Sequence, residues 1–495
     1  MNTRASYAAT MMLVAVTATA SDARVAFHAD AYGALGNAVV DDRAALQRAL
    51  DAADAVGGGT VLLGCDRTYR LDGPLFVPSH VTVRGCGRRT VLVRSPTTWQ
   101  GPVPVWTADG RCVEESRKDR YVLMNKHGNC GDAGIRLRDF AIDGQVQRVT
   151  PSAAAPNAVA VLLLATSDVI VSHLQLREVA QDGIFVKSPR GRITLRDNDI
   201  SGTNLAWGNG GGIIVEEWAE VADLAPGNVR IERNHITVRE PRFCDGPGPL
   251  PASVACTVDS DCVTAGTGTC ARHNAAVAGV VLVRSDIATP PVRTRLLRNR
   301  FDIANDQPGI LCNGCGPVTV WKNKFRAASW GACDPNSSRP GRRCRRDGEC
   351  GARGGCRFEP DFTAIRANGP SGGRCGGWHP GLCGRGPTYA CLRDTDCAVP
   401  LGRLALIGNT IRLSGSEQRH AMIRLISRDG GGSVRERRNR IVTSSPIPSV
   451  GWIEVTGVRV DREADHPGIE VKVRQTSVLR DERAQGRLAC ADHRS

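Results

Sequence analysis

The sequence predicts an all-β chain wound as a parallel β-helix, with a short N-terminal capping helix and Cys-rich loop insertions. Three observations predict it. Aromatics are only 4% of the 495 residues, against 55 Gly and 27 Pro, a balance that suits short strands and tight turns better than a helical core. A strand-turn pattern ending in Asn recurs through the middle of the chain, at Asn198, Asn234, Asn299, Asn323, Asn409 and Asn439. The spacing from Val169 to its equivalent Ile193 is 24 residues, and from Asn299 to Asn323 again 24, the length of one three-sided coil.

The elements follow in chain order. Met1 to Arg4 is a basic start, Ala5 to Ala20 is apolar and small, and Ala18-Thr19-Ala20 fits a cleavage site. Residues 1–20 therefore read as a signal peptide, and the mature protein is expected to be secreted or held at the cell surface. No later stretch approaches the length of a membrane span. Residues 21–90 are expected to form the cap and first coils. There Asp41 and Asp42 stand at a helix start. Ala45, Leu46, Ala49, Leu50 and Ala53 share a helical face, and Gly57-Gly58-Gly59 ends the helix. Short strands at Thr60–Leu63, Leu75–Val77 and Val81–Val83 follow. Residues 91–475 continue the solenoid, and 476–495 form a polar tail.

Nineteen cysteines in a chain of this length imply an oxidising compartment. Cys65 and Cys86 are 21 residues apart, close to one coil, and are expected to pair between adjacent coils. Three four-cysteine clusters occupy 244–270, 333–356 and 375–397, each expected as a stapled loop leaving the solenoid. Zinc is disfavoured there because no cluster has paired CxxC ligands. Cys312-Asn313-Gly314-Cys315 reads as structural. The odd total leaves at least one thiol without an intrachain partner.

A second strand type precedes the Asn segments, as in Gly183–Lys187, Gly212–Glu216, Val280–Arg284 and Gly309–Asn313. Alternation turns Ile184, Val186, Ile213 and Val215 inward. The outward column is then expected to run Lys187, Glu216, Arg284, Asn313, Asn368. Such a ladder either ties coils together by alternating charge or forms a binding face. Trp207, Trp218, Trp321 and Trp330 lie near turns, placed to pack on loops or on sugar rings.

The formal charge of +14 rests on Arg, with only six Lys, and suits an anionic partner. The basic residues are scattered and form no compact nucleic-acid motif, so nucleic acid is not expected as a partner. Acidic polysaccharide is, with the protein acting as a monomer.

Residues 29–87 resemble the N-terminal module of the pectate lyase superfamily, of the rhamnogalacturonase and epimerase-like type. The resemblance rests on Tyr32-Gly33-Ala34, Asp41-Asp42, Gly57-Gly58-Gly59-Thr60-Val61 and Thr68-Tyr69. It implies a right-handed parallel β-helix and a carbohydrate-active, exported protein. Gln181-Asp182-Gly183-Ile184 is similar to the first motif of polygalacturonase-type members, with Asp182 at its Asp. One coil later stands Thr203-Asn204 with no carboxylate, and no Gly-His-Gly occurs. A hydrolase needs two placed carboxylates. A polyuronate lyase needs a cation on the uronate carboxylate and a base for the neighbouring proton. Lys187, Arg284 and Arg366 are candidates for the positive charge. Asp182, Glu216 and Glu217 are candidates for acid/base work or for calcium, and no other cofactor is expected. The sequence thus favours a lyase over a hydrolase. The alternative is a non-catalytic β-helix protein that binds glycans or proteins through its Cys-rich loops.

Overall fold

The computed structural model describes residues 25–95, 100–106, 112–118, 121–145, 159–179, 182–201, 211–217, 227–238, 242–244, 270–272, 278–284, 291–304, 308–328, 331–333, 343–344, 351, 356–357, 363–369, 402–414, 423–427, 433–442, 453–456 and 459–462. The expected signal peptide, most of the Cys-cluster residues and the tail lie outside these ranges.

Three parallel sheets of twelve, eleven and ten strands run the length of the molecule. One coil visits each in turn. Val169–Ser172 belongs to the first sheet, Gln175–Arg177 to the second and Ile184–Lys187 to the third; Arg192–Arg196 returns to the first. Val169 pairs with Ile193, so the coil is 24 residues here, and Arg300 pairs with Lys324 at the same interval. This is a right-handed parallel β-helix. Side chains alternate along each strand, and the inward set fills the axis. Val161, Ile184, Ile213, Val280 and Ile310 form one interior column. Phe301 and Phe325 stack at 4.8 Å between centroids, the spacing of neighbouring coils.

The helix Arg43–Ala55 covers the open end of this core with Ala45, Leu46, Ala49, Leu50 and Ala53. Its start differs from the expected cap. The Asp42 carboxylate accepts the amides of Leu35 and Gly36, in the preceding turn, at 2.6 and 3.1 Å. Asp41 instead accepts the Arg43 amide at 3.0 Å. The carboxylate thus pins the incoming chain rather than the helix's own first turn. Gly58 follows the helix at φ +130°, and a β-carbon there would lie 2.7 Å from the His80 carbonyl.

The repeated Asn is not itself the left-handed residue of its turn. The left-handed residue is the one before it: Asp197, Arg233, Arg298, Lys322, Gly408 and Arg438 all have positive φ. The Asn side chains point inward and stack. Asn198, Asn234, Asn299, Asn323, Asn409 and Asn439 are each 2% exposed or less. Each of the first five donates through its amide and Nδ2 to Oδ1 of the next. Each Nδ2 also donates to a carbonyl of the coil before. The turn between first and second sheets is thereby satisfied without water.

Cys65 and Cys86 are disulfide-bonded with Cα atoms 5.2 Å apart. Cys312 bonds Cys315, and both are buried in the core. At the insertions, Cys244 faces Cys270 across one antiparallel pair and Cys333 faces Cys356 across another. The strand Ala278–Arg284 then rejoins the third sheet, so the solenoid resumes after the first insertion.

Candidate functional site

The third sheet brings the expected site residues to its two ends, not to one face. On its outer side, at the strand ends, one rung runs Leu164, Lys187, Glu216, Val283, Asn313, Asn368. Val283 stands where Arg284 was expected. Strand Ala278–Arg284 pairs Val280 with Ile213, one position off the alignment drawn from sequence. A one-residue slip in register turns a side chain to the opposite face.

Arg284 is therefore the partner of Glu217, and both turn inward. Arg284 Nε lies 3.6 Å from Glu217 Oε2, with side-chain exposures of 11% and 5%. Burial pushes the Glu217 carboxyl up to about 7, against the opposing pull of the Val292 amide, Arg284 and the Gly316 amide. Lys187 and Glu216 stand side by side and are half-buried.

Asp182 is separate. It precedes the strand Ile184–Lys187 and is fully buried. Its Oδ1 accepts the Gly211 amide at 2.8 Å, while Oδ2 has no hydrogen-bond partner among the described residues. Burial pushes this carboxyl up to about 7. Among the described residues no three His, Cys, Asp or Glu side chains are grouped to hold an ion.

The structure adds a group the sequence reading missed. The strand Tyr121–Asn125 lies two coils before Ile184–Lys187 in the same sheet. The turn after it, Lys126 to Asp132, is thus at the Lys187 end, roughly 10 Å away along the axis. Asp132 is buried. It accepts the Ser79 hydroxyl at 2.8 Å, the Asn125 side-chain amide at 3.0 Å and the His127 backbone amide at 2.8 Å. Its Oδ1 also lies 2.8 Å from His127 Nδ1. The His127 side chain is 51% exposed. A buried carboxylate gripping one nitrogen of a half-exposed imidazole fixes the ring for proton transfer. Gly128 and Gly131, both at positive φ, allow the tight turn that brings positions 127 and 132 together. That pair of glycines around His127 was the available sequence signal.

Of the four tryptophans singled out, Trp321 is described and the other three lie outside the described residues. It sits on the first sheet, with Arg298 and Lys322 over its ring at 5.0 and 4.5 Å.

Among the described residues no helix is long and apolar enough to cross a membrane. No family profile matches the chain. Over 180 residues, 34% of the chain, it is 39% identical to mannuronan C5-epimerase AlgE4 of Azotobacter vinelandii, covering 29% of that protein. Over 176 residues, again 34% of the chain, it is 29% identical to mannuronan C5-epimerase AlgE1 of the same organism, covering 11% of that protein. The matched stretch thus spans less than a third of either relative. Among solved structures, the Streptococcus pneumoniae surface protein and adhesin PfbA aligns with a TM-score of 0.50 at 13% identity, over 88% of this chain and 89% of PfbA. At that identity the likeness is one of fold. The coil geometry, the three parallel sheets and the likeness of fold place the chain among the parallel β-helix proteins.

Proposed function

We propose that the protein is an exported enzyme acting on an acidic polysaccharide by removing the proton next to a uronate carboxylate. The observation that carries this reading is the grouping of Lys187, Glu216 and the Asp132-held His127 at one end of the third sheet. The identity to mannuronan C5-epimerases over a third of the chain supports the substrate class. Lys187, set beside Glu216, pairs with the uronate carboxylate and makes the adjacent C–H more acidic. His127, oriented by Asp132, accepts that proton. Two outcomes follow from the carbanion-like state. In a lyase, its electron pair forms the C4–C5 double bond as the C4–O bond breaks, and the leaving oxygen gains a proton. In an epimerase, a proton returns to C5 from the other side. We favour the lyase over a hydrolase because Asp182 and Glu217, the buried carboxylates, do not face the outer side of the sheet.

The test is incubation with polymannuronate, polyguluronate and polygalacturonate. Ultraviolet absorbance reads unsaturated ends, a reducing-end assay reads hydrolysis, and deuterium uptake at C5 reads epimerisation. Unsaturated product or deuterium uptake supports the reading. Reducing ends without unsaturation overturn it in favour of a hydrolase. Binding without any turnover favours a non-catalytic glycan-binding solenoid, the reading that the fold likeness to a surface adhesin supports.

A further inference from the structure

The corner between the first and second sheets changes character along the solenoid. In the early coils several of its cations meet an acid. Arg84 lies 3.7 Å from Asp139, Arg177 lies 3.1 Å from Asp143, Arg88 lies 3.1 Å from Asp199, and Arg233 holds Asp197 at 2.7 Å. The last such acid is Asp302, shared by Arg300 and His235 at 2.8 Å each. Beyond it carboxylates become scarce among the described residues. Residues 317–328, 402–414 and 433–442 are the described parts of the next three coils on these two sheets. They hold nine Lys and Arg and a single carboxylate, Glu436. Glu436 is buried and accepts the Asn439 side chain at 2.7 Å.

The surplus is exposed and ordered. Lys322, Lys324, Arg326, Arg412, Arg438 and Arg440 are all exposed, and none has an ion-pair partner among the described residues. Lys324 and Arg440 share one column of the second sheet, separated by Thr410, and Arg326 and Arg412 are neighbours in the next. Successive coils are about 4.8 Å apart. Trp321 gathers Arg298 and Lys322 from two neighbouring coils over its ring, which fixes two of the charges in place. In each of these coils the connection from first to second sheet is two residues, ending in the buried Asn. The flanking strands place the start and end of each Cys-rich insertion at other corners of the solenoid.

We propose that this corner is a second binding face for an acidic polysaccharide, running along the solenoid axis and separate from the Lys187 end of the third sheet. The substrate class is taken from the reading above; the site is new. A pyranose ring is about as long as the rise of one coil. A polyuronate laid along the axis therefore presents a carboxylate to each coil's cations. Single-stranded nucleic acid is disfavoured, because such sites interleave cations with stacking aromatics. Here the described aromatic of the face, Trp321, is covered by its own two cations.

The experiment measures binding of the full chain to polymannuronate, neutral dextran and a DNA duplex over a range of salt. Wild type should hold polymannuronate, lose it as salt rises, and ignore dextran. The triple variant Lys324→Glu, Arg326→Glu, Arg438→Glu should bind polymannuronate at least about tenfold more weakly. The exchange Lys324→Arg, Arg326→Lys, Arg438→Lys should bind as wild type, which separates lost charge from lost fold. The binding that Lys187→Ala retains should still fall with salt and be lost on adding the three Glu substitutions, whether or not the protein turns over substrate. Unchanged binding by the triple Glu variant, equal binding of dextran, or tighter binding of DNA than of polymannuronate overturns the proposal.

Discussion

Asn234 Nδ2 donates to Asn299 Oδ1 at 3.0 Å, although the two residues are 65 positions apart. The first Cys-rich insertion lies between them in sequence. The stack of amides passes the insertion without a break, because a loop that leaves and returns at the same edge adds no coil. The hydrogen-bonded column thus stays continuous across chain excursions of very different length.

Asn299→Ala should expose this dependence. It leaves the Asn234 amide and the Ile231 carbonyl without their partners at 3.0 and 2.9 Å, both inside the protein. The expected loss is at least about 2 kcal/mol, from roughly 1–3 kcal/mol per orphaned buried group. Urea unfolding reads it. An unchanged midpoint would mean that water replaces the side chain.

Asp182 should make stability fall as pH rises. Its folded pKa is raised to about 7 from an ordinary 3.8, so the folded state holds a proton that the unfolded state has released. The stabilisation is full below about pH 4 and is lost as pH climbs through about 7. Glu217, also raised to about 7, adds to the same slope. Asp182→Asn keeps an acceptor for the Gly211 amide and removes the charge. It should be neutral near pH 4 and more stable than wild type at pH 8, measured by chemical denaturation at both pH values. Parallel pH profiles for the two proteins would contradict the assignment.

Lys187→Ala and His127→Ala should each lower turnover of a polyuronate by about 100-fold or more, the usual size of a lost acid/base or charge-stabilising group. Their circular dichroism should match wild type, since Lys187 is half-buried on the outer side and the His127 side chain is half exposed. Asp132→Asn should act through His127 and shift the pH profile of turnover. Wild-type rates in the Lys187 variant would remove the third-sheet end as the site.

Breaking the Cys65–Cys86 bond should cost about 3 kcal/mol, the loop-closure value for residues 21 apart. The Cys65→Ala, Cys86→Ala double variant, compared by thermal unfolding, reads this. The loss should be confined to the capping helix and first coils, which hydrogen exchange resolves.

The sequence by itself determined the coil. Alternating apolar residues, an Asn at each turn and a 24-residue interval are local properties, and each sits where the pattern put it. The Cys65–Cys86 pair followed from a separation close to that interval. The tertiary structure decided which side chains meet across coils. Strands Gly211–Glu217 and Ala278–Arg284 are separated by the first Cys-rich insertion, so no local spacing fixed their register. The fit of Val280 onto Ile213 in the core fixed it instead, and sent Arg284 inward to Glu217. His127 and Asp132 escaped notice because the carboxylate that holds the ring is itself held by Ser79 of the coil before, a contact no local spacing shows. The basic corner was invisible as a run of charge. Its cations run from Lys322 to Arg440 in the chain, and coil stacking lines them up.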